Sequence, residues 1–180
     1  MNELNKIQHI YFGGGCFWCI EAAFTNLKGV VKIINGYAGG ISNTANYKNV
    51  STGKTNHAEI CEIRYKSDII SIDVLLEVFF LAHDPTQLHR QGDDIGPQYR
   101  SIIFYKNMLE KEKSENYIKE LEIKEIYKNI QTELVPFTAF YKAEKYHQNY
   151  FNLNPNAPYC SLIINPKIQK LKHRLKKYYH

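Results

Sequence analysis

The chain has 180 residues, of which 44% are hydrophobic and 23% charged, as in an ordinary globular protein with its own hydrophobic core. We therefore expect residues 1–180 to form a single domain. No stretch approaches the roughly 18 apolar residues that span a bilayer, and the first residues lack the features of a signal peptide, so we expect a cytoplasmic protein without a membrane partner.

The net charge of +5 is concentrated near the C-terminus, where residues 167–177 include six lysines or arginines. A basic segment of this kind can bind nucleic acid or acidic lipid. Ile168, Leu171 and Leu175 recur within it at helical spacing, however, and such a stripe normally faces a core. We therefore expect residues 161–180 to be a basic tail or helix docked on the domain, with no nucleic-acid partner.

The first predicted elements are a strand and a helix joined by a glycine-rich turn. Residues 9–12 predict the strand, and three glycines lead into a helical pattern from Cys16 to about Leu27. At a helix start, unpaired N–H groups and the helix dipole favour a thiolate, which predicts a lowered pKa and a nucleophilic Cys16 sulfur. Phe17 and Trp18 add apolar surface beside that sulfur.

A short buried strand is predicted at residues 30–34, and a long polar loop follows over residues 36–56. Loops of this length inside a compact domain are usually functional. The loop contains Tyr37 and Tyr47, which a segment that only connects two elements does not need.

Residues 57–65 alternate apolar and polar side chains, which is the pattern of a half-buried strand. The alternation places Glu59 on the apolar face, with Cys61 and Ile63. A carboxyl group there loses solvation, so its pKa is expected to rise, as a proton donor requires. The alternative is that Glu59 lies at the strand mouth and reaches water.

The second half of the chain mixes helices and strands that do not alternate strictly, which predicts an α+β fold. Ser71 has the character of a helix N-cap, and its helix is followed by an irregular polar stretch to about residue 99. The remaining predictions are a strand at 101–105, a charged helix at 107–129, a strand at 131–141 that Pro136 confines to a sheet edge, and a helix at 144–151.

The four cysteines are too few and too scattered for a disulfide scaffold, and in a reducing compartment such cysteines more often catalyse or bind metal. A zinc site would need two ligand pairs or nearby histidines, so we expect none. Two explanations remain. Cys16 and Cys19 form a redox C-x-x-C pair, as in thioredoxin-like dithiol-disulfide oxidoreductases, or Cys16 is a solitary nucleophile whose oxidised product is resolved by a distant thiol, Cys160. Cys61 lies inside a strand and is expected to be inert.

Five short motifs follow one another along the chain, and together they resemble the A-type peptide methionine sulfoxide reductases. They are Gly15-Cys16-Phe17-Trp18, Gly36-Tyr37-Ala38-Gly39-Gly40, His57-Ala58-Glu59, Gln98-Tyr99-Arg100-Ser101 and Tyr159-Cys160. Each motif alone is weak, but five in order are specific, and the resemblance covers residues 11–172.

The resemblance implies an enzyme that reduces the S-epimer of methionine sulfoxide, free or in proteins, and so repairs oxidative damage. It implies no cofactor, thioredoxin as the final reductant and a monomer. The implied fold is a two-layer α/β sandwich with a mixed, mainly antiparallel sheet, a ferredoxin-like core and long functional loops.

The resemblance also implies a role for each polar residue of the site. Cys16 attacks the sulfoxide sulfur and becomes a sulfenic acid, while Glu59 protonates the oxygen. Tyr47 and Tyr99 hydrogen-bond that oxygen, and Asp94 orients the polar side of the site.

Further implied roles concern the substrate methyl group and the recycling of the nucleophile. Phe17 and Trp18 hold the methyl group. Cys160 attacks the sulfenic acid and forms a redox-active disulfide with Cys16, which thioredoxin reduces. Residues 153–158 include two prolines and two asparagines, so we expect Cys160 to lie on an exposed, mobile stretch.

Overall fold

Eight strands and six α-helices make up the fold in this computed structural model, which describes residues 7–180. The strands are β1 (Ile7–Gly13), β2 (Val30–Ala38), β3 (Ala58–Lys66), β4 (Arg90–Gln91), β5 (Asp94–Ile95), β6 (Ile102–Tyr105), β7 (Glu133–Pro136) and β8 (Phe140–Lys142). The helices are α1 (Phe17–Phe24), α2 (Tyr47–Val50), α3 (Ile72–Ala82), α4 (Met108–Ile123), α5 (Tyr150–Leu153) and α6 (Asn165–Arg174). None of these helices is long and apolar enough to cross a membrane.

Six of the strands form one sheet in the order β7-β6-β1-β3-β2-β8, and β4 pairs with β5 in a small hairpin. Neighbouring strands of the large sheet are antiparallel except β6 and β7, which are parallel. The predicted α+β class with a mixed, mainly antiparallel sheet is therefore confirmed.

The single strand predicted at 131–141 is wrong, because this segment forms two strands at opposite edges of the sheet. Pro136 ends β7 beside β6, and β8 pairs with β2 at the far edge. Between them the chain crosses one face of the sheet, where the ring of Phe137 stacks on Tyr11 with centroids 4.2 Å apart. This crossing covers a small apolar cluster that includes Ile60 and Phe104.

The other face of the sheet is covered by helices and carries the main core. Since both faces are covered, the first six residues of β3 are all buried rather than alternating between core and solvent. The C-terminal stripe belongs to this core: Ile168, Leu171 and Leu175 are each less than 5% exposed. Tyr179 secures the end of the tail by donating its hydroxyl proton to the Ala23 carbonyl at 2.7 Å.

Several helix ends differ from the predicted ones because individual residues take left-handed backbone conformations. The first helix ends at Phe24 instead of 27, and Asn26 follows with φ 64°. The predicted helix at 144–151 is divided into a 3-10 turn and α5, with Asn149 between them at φ 53°. Left-handed single residues of this kind are best tolerated by asparagine and glycine. Ser71 caps α3 as predicted, accepting from the Val74 N–H at 3.4 Å.

Candidate active site

The glycine turn between β1 and α1 places Cys16 between two other candidate residues of the site. A Cβ at Gly13 would lie 2.8 Å from the Glu59 carbonyl oxygen, so only glycine allows β1 to approach β3 this closely. Gly15 has φ +85°, and its N–H donates to the Tyr99 carbonyl at 3.0 Å. Cys16 therefore follows directly after a turn that touches both Glu59 and Tyr99.

Cys16 is the N-cap residue of α1 and is only 8% exposed. Burial raises the pKa of its thiol well above the usual value, and the Glu59 carboxylate adds to the rise, while a backbone hydrogen bond from Trp18 lowers it. The predicted lowering of this pKa is therefore wrong for the reduced protein without substrate. Exclusion of water opposes the thiolate more strongly than the helix N-terminus favours it.

Glu59 is the second residue of β3 and is 2% exposed, so the alternative in which it reaches water is wrong. Its Oε2 accepts a hydrogen bond at 3.0 Å from the N–H of Phe17, the residue that follows Cys16. Burial, with a smaller contribution from the Asp94 charge, raises the pKa of Glu59 to about 8, although the Phe17 N–H and the nearby Cys16 thiol favour the carboxylate. Glu59 thus holds a proton near neutral pH beside the Cys16 sulfur.

Tyr47 and Tyr99 are both half-buried, and the structure brings them to the same place. Burial is the largest cause of the raised pKa of each phenol, and Glu59 and Cys16 are the next two causes for both. Tyr47 opens α2, and Tyr99 ends a 3-10 turn after the β4–β5 hairpin. Two neutral hydroxyl groups therefore stand near the thiol and the carboxyl group.

Asp94 lies on the β4–β5 hairpin and makes a contact that the sequence prediction missed. The Tyr159 hydroxyl donates to Asp94 Oδ2 at 2.6 Å, and its oxygen is 3.7 Å from Cys19 Sγ. The sequence contained a signal for this role, because Tyr159 directly precedes Cys160 in the last of the five motifs.

Aromatic rings form the apolar wall of the site around Trp18. Tyr150 stacks on its indole with centroids 3.6 Å apart and planes at 5°, and Tyr159 meets it edge-on at 6.0 Å. Phe17 is 1% exposed, and its ring lies 4.9 Å from that of His147. Such a wall suits a small apolar group such as a methyl attached to sulfur.

His147 is also buried in this wall, at 1% exposed. Neither ring nitrogen has a hydrogen-bond partner among residues 7–180. Its ring packs against Tyr47 with centroids 4.6 Å apart, and burial lowers the pKa of the imidazole. His147 is therefore a neutral member of the wall rather than a base.

The sequence model of the family described as peptide methionine sulfoxide reductase matches residues 8–179. This chain belongs to that family. The chain is 52% identical over 159 residues to a peptide methionine sulfoxide reductase MsrA of Nautilia profundicola, covering 88% of this chain and 91% of that protein. The enzyme class expected from the sequence, an oxidoreductase that reduces methionine sulfoxide, is confirmed, and the thioredoxin-like alternative is not favoured.

Solved structures of reductases match the fold as well. The reduced form of Saccharomyces cerevisiae Mxr1 aligns with a TM-score of 0.81 at 32% identity, covering 87% of this chain and 91% of that one. Mxr1 in complex with Trx2 aligns with a TM-score of 0.59 at 23% identity, covering 81% of this chain and 86% of that one.

The position of Cys160 in this reductase contradicts the prediction of an exposed, mobile stretch. It is 0% exposed and begins a π-helical turn, Cys160–Ile164, that continues into α6. Cys160 and Ile164 precede Ile168 at the same helical spacing, so they belong to the C-terminal apolar stripe. The docked helical segment therefore begins earlier than predicted. All four cysteines of the reductase are free thiols in this structure.

Within residues 7–180, no group of three or more His, Cys, Asp or Glu side chains is arranged to hold a metal ion. The chemistry of the site is that of a thiol, a protonated carboxyl group and two phenols.

Proposed function

We propose that the protein reduces the S-epimer of methionine sulfoxide, free or in proteins, with Cys16 as the nucleophile and Glu59 as the acid. The observation that carries the proposal is the proximity of these groups in a buried site, where Glu59 accepts the N–H of Phe17, the residue after Cys16, and burial raises the pKa of the carboxyl to about 8. A disulfide exchanger does not need a protonated carboxyl group, whereas an oxygen that leaves sulfur does.

The first step forms a bond from the Cys16 sulfur to the sulfoxide sulfur. Glu59 gives its proton to the oxygen and receives the proton of the Cys16 thiol, so the site never holds an isolated charge. The oxygen then passes to Cys16 as methionine leaves. The products are methionine and a Cys16 sulfenic acid, which together contain every atom of the thiol and the sulfoxide.

The surrounding side chains explain how one epimer is selected. Tyr47 and Tyr99 donate hydrogen bonds to the oxygen, which becomes more negative as the sulfur is attacked. Phe17 and Trp18 enclose the methyl group on the apolar side of the site. Because oxygen and methyl occupy opposite sides, only one configuration at sulfur presents its open face to Cys16.

Recycling requires a second thiol and an external reductant, for which we propose thioredoxin. Supporting this partner, yeast Mxr1 has been crystallised in complex with Trx2. The resemblance assigns the second thiol to Cys160. A disulfide needs Cα atoms within about 7 Å, and Cys160 is buried in a helical turn, so we propose that this turn rearranges when Cys160 forms a disulfide with Cys16.

The proposal also covers the topology of the core, the oligomeric state and the cellular compartment. The strand order β6-β1-β3-β2, with α1 and α3 as the connecting helices, supports a ferredoxin-like core. We also propose a monomer, because the thiol, the carboxyl group and the two phenols that the chemistry uses all belong to a single chain. The chemistry needs free thiols, which a reducing compartment such as the cytoplasm maintains.

The test compares the two epimers of a methionine sulfoxide peptide as substrates with thioredoxin and its reductase. We expect turnover of the S-epimer, less than a hundredth of that rate for the R-epimer, and none for Cys16→Ser. Insulin disulfide reduction, measured in parallel, should be weak. Strong insulin reduction without sulfoxide turnover would instead support the thioredoxin-like C-x-x-C function.

A further inference from the structure

We propose that Cys19 is the first thiol to attack oxidised Cys16, ahead of Cys160, and that Tyr159 and Asp94 take up its proton. This inference rests on the proposed function, because it needs the Cys16 sulfenic acid. It concerns the order of the recycling steps.

The first observation is the relative position of the three sulfurs. Cys19 lies one helical turn from Cys16, and its N–H donates to the Cys16 carbonyl at 3.0 Å. Residues three apart on a helix have Cβ atoms about 5–6 Å apart, and a disulfide needs about 3.5–4.5 Å, so a shift of roughly 1–2 Å brings the two together. Cys19 is also partly exposed, whereas Cys160 is fully buried in a helical turn.

The second observation is the hydrogen-bonded chain from Cys19 to a carboxylate. The single hydroxyl proton of Tyr159 is donated to Asp94 at 2.6 Å, so the phenol oxygen is left as an acceptor for the Cys19 thiol at 3.7 Å. Burial raises the pKa of Cys19 to about 11, although Tyr159 and Lys167 oppose the rise. The thiol therefore loses its proton during the attack, and the Tyr159–Asp94 pair gives that proton a place to go.

The atoms of the step balance without any further reagent. The Cys19 sulfur bonds to the Cys16 sulfur, and the sulfur–oxygen bond of the sulfenic acid breaks. The departing hydroxide takes a proton from Glu59 and leaves as water. The Cys19 proton passes to Tyr159 as Tyr159 passes its own to Asp94. The products are one Cys16–Cys19 disulfide and one water.

This order also explains how a buried Cys160 can take part later. A disulfide at Cys19 has no proton to donate to Tyr159, so the contact that holds Tyr159 beside α1 is weakened. Tyr159 directly precedes Cys160, and its release frees the first residue of the π-helical turn. Cys160 can then attack the Cys16–Cys19 disulfide by thiol exchange.

The test maps disulfides at successive times after one equivalent of S-sulfoxide is mixed with the reduced protein, with acid quench and thiol blocking. Trypsin has no site between Lys6 and Lys28, so a Cys16–Cys19 disulfide stays within peptide 7–28, whereas Cys160 lies in peptide 146–167. We expect the disulfide within peptide 7–28 to appear first, followed by a linked pair of peptides. Linked peptides that appear first would overturn the inference.

Variants separate this step from sulfoxide reduction. Cys19→Ser should release one methionine at the wild-type rate. The later disappearance of a second free thiol, which reports disulfide formation, should be at least tenfold slower than in the wild type. Cys61→Ser, whose hydroxyl can keep the contacts of the Cys61 thiol to Phe17 and Asn35, is the matched control and should lose two thiols normally. Wild-type thiol loss in Cys19→Ser contradicts the inference. Failure of the wild type to release methionine contradicts the proposed function itself.

A second pair of variants tests the proton path. Tyr159→Phe should slow disulfide formation at least tenfold relative to methionine release in the same single turnover. Tyr150→Phe is the control, because Tyr150 also packs on Trp18 but is not hydrogen-bonded to Cys19. An equal ratio of the two rates in both variants would overturn the role of Tyr159.

Discussion

Glu144 joins Tyr47, the first residue of α2, to Tyr37 of the sheet. Its Oε1 accepts from the Tyr47 N–H at 2.7 Å, and its Oε2 accepts from the Tyr37 hydroxyl at 2.8 Å on β2. These contacts lower the pKa of the Glu144 carboxyl, although its burial opposes this. Since α2 has only four residues, it cannot fix the direction of Tyr47 by its own hydrogen bonds.

This relationship predicts that Glu144→Ala lowers kcat about tenfold with a small change in the thermal midpoint. Alanine removes both acceptor oxygens, so the Tyr47 phenol loses its fixed position, and groups misplaced by about 1 Å cost large factors in rate. The measurement is steady-state reduction of S-sulfoxide. Tyr37→Phe removes only the second donor and serves as control; an equal loss there would refute anchoring through Tyr47.

Glu59→Gln is predicted to slow methionine release by at least about 10²-fold, the low end for general acid catalysis. The amide keeps the shape of the side chain and can accept the Phe17 N–H, but it has no acidic proton for the sulfoxide oxygen. Single-turnover methionine release is the measurement, with the affinity for a dimethyl sulfoxide inhibitor as control for binding. An unaltered rate would mean that Tyr47 or Tyr99, and not Glu59, supplies the proton.

The raised pKa of Glu59 predicts a pH dependence of both rate and stability. Below about pH 8 the carboxyl holds its proton, so methionine release should fall as pH rises through that value, and Glu59→Gln should lack this decline. The folded state binds this proton more tightly than the unfolded state, so protonated Glu59 adds to the free energy of unfolding. This stabilisation is complete below about pH 4.5, the ordinary pKa of the carboxyl, and is lost as pH rises to about 8. Urea unfolding across this range should show the wild type losing stability relative to the variant.

Much of the site could be predicted because its residues occur in short motifs with fixed spacing. The resemblance to the family singles out Cys16, Glu59, Tyr47, Tyr99 and Asp94, and the structure places these five side chains near one another. The burial of Glu59 also followed from the alternation in β3, since its face was already apolar.

The remaining features depend on contacts between distant parts of the chain, which local patterns do not contain. The pKa of Cys16 was predicted from the helix start alone, but burial of the thiol and the nearby Glu59 carboxylate have the largest effects on it. The burial of Cys160 was missed because Pro158 indicates a loop, whereas the apolar stripe beginning at Cys160 fixes a docked helix. The division of residues 131–141 arises from pairing with two different edge strands.

The docked tail gives the last prediction, which separates a structural role for the basic segment from nucleic-acid binding. Leu171 is 4% exposed in the main core, and neighbouring Gln169 is exposed. Leu171→Ala should destabilise the protein by about 2–5 kcal/mol, the usual cost of such a cavity, and Gln169→Ala by less than about 0.5 kcal/mol. Urea unfolding monitored by Trp18 fluorescence gives both values.

A DNA-binding assay complements the unfolding measurement on the tail. A tail whose apolar face is buried presents its lysines as a solvated surface, so we expect no micromolar binding of duplex or single-stranded DNA at physiological salt. Fluorescence anisotropy with a labelled oligonucleotide at two salt concentrations tests this. Tight binding that weakens steeply with salt, together with a negligible effect of Leu171→Ala on stability, would mean that residues 161–180 serve as a binding arm instead of a part of the core.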